Sequence, residues 1–212
     1  MDSIMIGIEF FHKGGMIMYV LLLCSVLVVA IAVERWQYFS REDSGRQFAR
    51  EYCQKISAGD TQAAINMANV GKGLLANILA EACPLAGSGN MSSFMEVHSG
   101  IALSKLKQRL YYLSVIVTMA PLLGLLGTIS GMISAFSVFN LESGQATAIT
   151  GGVGEALIAT AFGLCVAIIA LAVHAYFSQR LENIITDMEQ CFSMAEAKEK
   201  QLAQLAGAGE AV

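Results

Sequence analysis

Three long runs without a charged residue limit what this chain can fold into. The first is Gly14 to Val33, 20 residues, about the length of one helical bilayer crossing. The second is Leu110 to Leu141, 32 residues between Arg109 and Glu142. As a helix it would span about 48 Å at 1.5 Å per residue, more than the roughly 30 Å hydrocarbon core, so it should project from the membrane at one end. The third is Ala156 to Gln179, 24 residues whose one basic side chain is His174. An uncharged leader, Ser143 to Gly154, precedes it, and Glu155 separates the two. The rest of the composition agrees. Of 212 residues 55% are hydrophobic and 14% charged, against about 25% charged in an average soluble domain. That excludes an ordinary soluble domain and a disordered chain. A formal charge of −4 provides no basic footprint for nucleic acid. The first run carries an Ala30-Ile31-Ala32 triplet like a signal-peptidase site. Asp2 and Glu9 outnumber Lys13 before it, however, and the apolar stretch is too long, so a retained helix is expected.

The positive charges set the orientation. Lys13 precedes the first run, nine of the 13 Lys and Arg lie between runs one and two, and none lies between runs two and three. Arg180, Lys198 and Lys200 follow run three. Three crossings then place the N-terminus outside, 34–109 inside, the 140–150 loop outside and the tail inside. The expected fold is an all-α membrane protein forming a single domain over 1–212. Its transmembrane helices are 14–33, 112–140 and 150–178, with a cytoplasmic helical segment 34–109 and a cytoplasmic tail 179–212. The second and third helices extend into a cytoplasmic helical bundle.

Within 34–109, Arg46 to Ile56 and Asp60 to Val70 read as short amphipathic helices, with Asp60 as N-cap of the second. Lys72 to Cys83 reads as a third, ended by Pro84 and the AGSGN turn. From Ser92 onward a single helix can run into the membrane. The tail from Gln179 to about Ala206 continues run three, with Leu181, Ile184, Ile185, Met188, Phe192 and Ala195 on one face. The stretch Met5 to Lys13 reads either as a short amphipathic helix on the outer surface or as an ordered overhang. The five cysteines show no C-x-x-C and read as small apolar residues, not as disulfides or ligands.

Two stretches carry the functional signal. In run two, Gly124, Thr128, Gly131 and Ala135 fall within about 60° of one another on a helix. In run three, Ala156, Thr160, Gly163 and Ala167 repeat the spacing, with Thr again second. Close helix packing in lipid explains the Gly and Ala. The threonines admit two readings. They lie roughly 18 Å and 15 Å from the outer boundary, near the midplane, where an oligomer could arrange them as polar rings around a central path. A Thr can also bond a carbonyl of its own helix and do no more. Glu155 lies roughly 7.5 Å inside the outer boundary. A carboxylate there is costly and marks a functional site by default, the alternative being an interfacial residue or a charge at the helix N-terminus. His174 sits on the stripe near the inner end, as an interfacial His or on a proton path. No phosphate-binding, zinc-protease or nucleophile-elbow motif is present, and three unclustered histidines argue against a metal site. No cofactor is expected, nor an enzyme, since no nucleophile–base pair shares a face.

Ala120 to Phe136 and Gly151 to Ile168, with Glu34-Arg35 after the first helix, resemble the ExbB/TolQ/MotA family of proton-channel subunits. Three crossings favour the ExbB/TolQ branch. The resemblance implies a homopentamer whose second and third helices line a pore. An ExbD/TolR-like dimer, each chain with one transmembrane helix bearing an Asp, would occupy it. Proton flow past that Asp would drive rotation, and a TonB-like or TolA-like periplasm-spanning protein would receive the work. It also implies pore roles for Thr128 and Thr160 and matches Glu155 to the family's helix-three glutamate. Two positions depart from the pattern: Ile169 stands where Pro is usual, and His174-Ala175 replaces a Tyr-Asn pair. The expected function is a bacterial inner-membrane motor subunit for TonB-dependent import. A TolQ-like envelope-maintenance role or a non-conducting scaffold are the alternatives.

Overall fold

The computed structural model describes residues 15–141 and 146–209, with side chains described for 16–136, 151–154 and 156–204. The stretch Met5 to Lys13 and the connector 142–145 lie outside these residues. Among the described residues seven helices follow in order: α1 (Gly15–Glu42), α2 (Arg46–Ser57), α3 (Thr61–Val70), α4 (Leu74–Ala82), α5 (Met91–Leu141), α6 (Ala146–Ala197) and α7 (Glu199–Gly209). A 3-10 turn, Cys83–Leu85, follows α4. No strand occurs among the described residues. Helices α1, α5 and α6 each contain a stretch long and apolar enough to cross a membrane. At 51 and 52 residues, α5 and α6 span about 76–78 Å each, well beyond one bilayer.

The chain forms two compact units. One comprises Met1–Val33 with Leu110–Tyr176, the other Glu34–Arg109 with Phe177–Val212. The first holds the three apolar segments. Each turns a narrow face inward: Met18, Leu21 and Val28 on α1, Leu113, Ile116 and Ala120 on α5, Ala159, Val166 and Ala170 on α6. The other faces stay open and apolar, with Leu23, Val26, Leu122, Leu125, Ile129, Leu157 and Ile168 exposed. A helix that is apolar all round needs a non-aqueous surround, and lipid or neighbouring chains provide one.

The second unit is a bundle with an alternating polar surface. Ala49, Tyr52 and Ile56 on α2, Ala64 and Ala68 on α3, and Leu75, Leu79 and Ala82 on α4 are buried, and α3 lies against both α2 and α4. The N-cap at Asp60 is present: its carboxylate accepts from the Ala63 amide at 3.2 Å. Helix α4 begins two residues later than the sequence suggests, because Gly73 sits at φ +96°. A Cβ there would lie 2.6 Å from Ser44 Oγ and 2.8 Å from the Glu42 carbonyl, so only glycine fits. Ser44, from the α1–α2 turn, serves as the remote cap of α4 by accepting from the Ala76 amide. The tail also differs from expectation. Instead of one helix to Ala206, α6 ends at Ala197 and α7 begins at Glu199. The turn at Lys198 lets Glu199 accept from the Gly87 amide at 3.1 Å and buries Leu202 completely.

The same unit carries four arginines with polar partners. Arg35 is buried and grips Glu34 with two hydrogen bonds, at 2.7 and 2.9 Å. It also donates to the carbonyls of Lys105 and Leu106 and lies 4.6 Å from the centre of the Tyr38 ring. Arg109 approaches Glu34 at 3.3 Å. Arg180 pairs with Asp43 at 3.1 Å. Arg46 donates to Asn183 at 2.8 Å.

Candidate functional site

The two small-residue stripes meet each other. A Cβ added to Gly124 would lie 3.1 Å from the Thr160 Cα, one on Gly127 2.6 Å from the Ala159 Cβ, and one on Gly131 3.0 Å from the Ala156 Cβ. One on Gly152 would lie 2.5 Å from the Ala135 Cβ, and one on Gly163 2.7 Å from the Ala120 carbonyl oxygen. Residue numbers rise on α5 as they fall on α6, so the helices run antiparallel, backbone against backbone. Only glycine and alanine allow this approach. Gly124, Gly131, Ala135, Ala156 and Gly163 all lie in this close contact. Ala167 is buried on α6 as well.

The structure adds residues to the seam that the spacing 0, +4, +7, +11 left out: Ala120, Gly127, Gly152 and Ala159. They follow the alternating three- and four-residue step of paired helices. That step was readable in the sequence, since each of these positions is Gly or Ala. Pro121 lies inside α5 beside the seam and removes the amide that would bond the Val117 carbonyl.

The two threonines behave differently. The Thr160 hydroxyl donates to the Gly124 carbonyl across the seam at 2.9 Å. The Thr128 hydroxyl donates to the Leu125 carbonyl within its own helix at 2.6 Å. Each follows a seam residue directly, Gly127 and Ala159. In two right-handed helices packed antiparallel, the residue after a facing position turns to the same flank on both. Thr128 and Thr160 thus share one flank. Thr160 is level with Gly124, and Thr128 is one turn, about 6 Å, further along α5. Each hydroxyl already donates its proton and keeps acceptor capacity for another donor. His174 is partly exposed on α6. Glu155 belongs to α6, but its side chain lies outside the described residues. No cluster of His, Cys, Asp or Glu able to hold a metal occurs among the described residues.

The Glu34–Arg35–Arg109 cluster was not singled out as a site by its residue types. Its only sequence signal was the charge pair directly after the first apolar run. The guanidinium of Arg35, bonded to Glu34, holds that carboxyl below the usual carboxylate range, against a smaller opposing effect of partial burial.

Comparison with known proteins matches residues 59–190 to the MotA/TolQ/ExbB proton channel family. A Synechocystis sp. protein described as biopolymer transport protein ExbB-like 1 is 34% identical over 177 residues, 77% of this chain and 67% of that protein. A second from the same organism, ExbB-like 3, is 34% identical over 164 residues, covering 74% of this chain and 78% of that one. The Tol-Pal system protein TolQ of Pseudomonas aeruginosa is 35% identical over 82 residues, 38% of this chain and 36% of that protein. The family match takes in both stripes.

Proposed function

The chain belongs to the MotA/TolQ/ExbB proton channel family, and on that premise we propose that it is the pore-forming subunit of a proton-driven motor in a bacterial inner membrane. As a multi-pass, all-α membrane protein it would assemble as a homopentamer. Its N-terminus would be periplasmic and its C-terminus cytoplasmic. The observation that carries this reading is the shared flank of Thr128 and Thr160. Two hydroxyls stand there beside a seam that is otherwise apolar and closed. Turned toward a central path, that flank offers each passing proton carrier a polar site near the bilayer midplane. Glu155, one and a half turns from Thr160, would serve the outer half of the path. The carrier would be an acidic residue on an ExbD/TolR-like single-helix protein, with a TonB-like protein taking up the work. The longer matches carry ExbB-like names and support that branch. The TolQ match, over 38% of the chain, keeps a TolA-like partner as the second reading. Co-purification from the native host separates the two.

The test is proton flux in vesicles holding the complex with its single-helix partner. Thr160→Val keeps the shape and removes the hydroxyl. Flux should fall about tenfold or more, the equivalent of about 1.4 kcal/mol, while Thr160→Ser retains it. Thr128→Val and Glu155→Gln should lower flux with assembly intact. If Thr160→Val leaves both assembly and flux unchanged, the chain is a scaffold and its threonines serve packing alone.

A further inference from the structure

Helices α2 and α6 lie side by side in the second unit, and two thiols meet between them. The Sγ atoms of Cys53 and Cys191 are 3.6 Å apart. The contact does not depend on one side chain alone. Arg46, two turns before Cys53, donates to Asn183 and approaches Asp187 at 3.8 Å. The Cys191 thiol points at the Ala49 carbonyl, 3.6 Å away, one turn before Cys53. Arg46 on α2 thus meets Asn183 and Asp187 on α6, and Ala49 and Cys53 both meet Cys191. The two thiols differ in access. Cys191 is fully buried, whereas Cys53 is partly exposed. Burial and the neighbouring Cys53 thiol push the Cys191 thiol well above its ordinary value, so it stays protonated near neutral pH.

We propose that Cys53 and Cys191 form a peroxide-responsive thiol pair that closes to an intramolecular disulfide and ties α2 to α6. Hydrogen peroxide is the oxidant. The Cys53 thiolate attacks one peroxide oxygen and the O–O bond breaks. Cys53 becomes a sulfenic acid, and the other oxygen leaves as water after taking up a proton. The Cys191 sulfur, losing its proton, then attacks the Cys53 sulfur and expels the sulfenic oxygen as a second water. Two thiols and one peroxide give one disulfide and two waters. The sulfur atoms need to close from 3.6 Å to about 2.05 Å. Fixed proximity raises the effective concentration of Cys191 at the sulfenic acid, which offsets its poor ionisation. Thiol reductants reverse the link, as a sensor requires and a structural disulfide does not. Cys24, Cys83 and Cys165 are also free, but none has a second thiol at such a distance among the described contacts.

The test exposes the full-length protein, in membranes, to hydrogen peroxide. Remaining thiols are alkylated after denaturation, and the chain is mapped by mass spectrometry without reduction. The expected result is a loss of two alkylatable thiols out of five. A Cys53–Cys191 peptide pair should carry two hydrogens fewer, and a thiol reductant should restore both thiols. Cys53→Ser should leave Cys191 fully alkylatable. Three results would overturn the proposal. Cys53 could proceed to sulfinic acid while Cys191 remains a thiol. The link could join two copies of the chain. Or neither thiol could react while the unfolded chain is oxidised under the same conditions. The wild-type map decides the matter even if a cysteine variant fails to fold.

Discussion

At the scale of single residues, the seam between α5 and α6 makes the sharpest demands. Gly163 faces the Ala120 carbonyl and the Gly124 backbone, where an added Cβ would sit 2.7 and 3.0 Å away. These are main-chain atoms and cannot turn aside. Gly163→Ala should cost about 1–3 kcal/mol through overpacking, read as a lower melting temperature in detergent. Gly154→Ala is the control, since nothing lies within 4 Å of its added Cβ; it should be neutral or gain up to about 1 kcal/mol of helix propensity. Tyr52 poses the opposite case. Its hydroxyl is buried without a hydrogen-bond partner, beside the weakly bonding Cys83 thiol. Tyr52→Phe should leave stability unchanged or raise it by up to about 1 kcal/mol; a clear loss would mean that the Cys83 contact is a true hydrogen bond. The small-residue stripes were legible because Gly and Ala recur at helical spacing. The bond from Thr160 to Gly124 was not, because its acceptor is a backbone carbonyl 36 residues away, and no carbonyl has a residue-type signature.

At the scale of elements, helix type and extent followed from periodicity and caps. Asp60 announced α3, and the unbroken stretch after Ser92 announced α5. The boundaries that depart from the sequence pattern depend on partners distant in sequence. Gly73 delays α4 because the Glu42–Ser44 turn occupies the space a Cβ would need, and the turn at Lys198 exists because Glu199 reaches Gly87. The end of α1 carries a testable electrostatic clamp. The Glu34 carboxyl titrates lower in the folded protein than in the unfolded chain. Its contribution is therefore complete above the unfolded value of about 4.3 and is lost as pH falls through the folded value. Glu34→Gln should melt below the wild type by a constant margin from pH 8 to about pH 5. The margin should close in more acid solution; one that widened there would refute the clamp.

At the scale of the whole molecule, the charge distribution is the basis of the proposed topology. Twelve of 13 Lys and Arg fall in 34–109 or after run three. A cysteine placed at Ser88 should react with an impermeant maleimide only from the cytoplasmic side, and one at Ser143 only from the periplasmic side, in a background lacking native cysteines. Reversed labelling would invert the topology. The number of chains in the proposed assembly is not legible in this way. Open apolar faces such as Leu122, Leu125 and Ile129 suit lipid and a neighbouring chain equally, because both are hydrocarbon. The seam has one more consequence. Two helices joined at the level of their backbones, with methyl groups lodged in glycine notches, have no room to slide. A shift of one residue, about 1.5 Å, would drive the Ala159 methyl out of its notch at Gly127. The membrane portions of α5 and α6 therefore form one stave, able to tilt as a piece but not to split. In the proposed motor, a working stroke would fall between staves, or between a stave and whatever it surrounds.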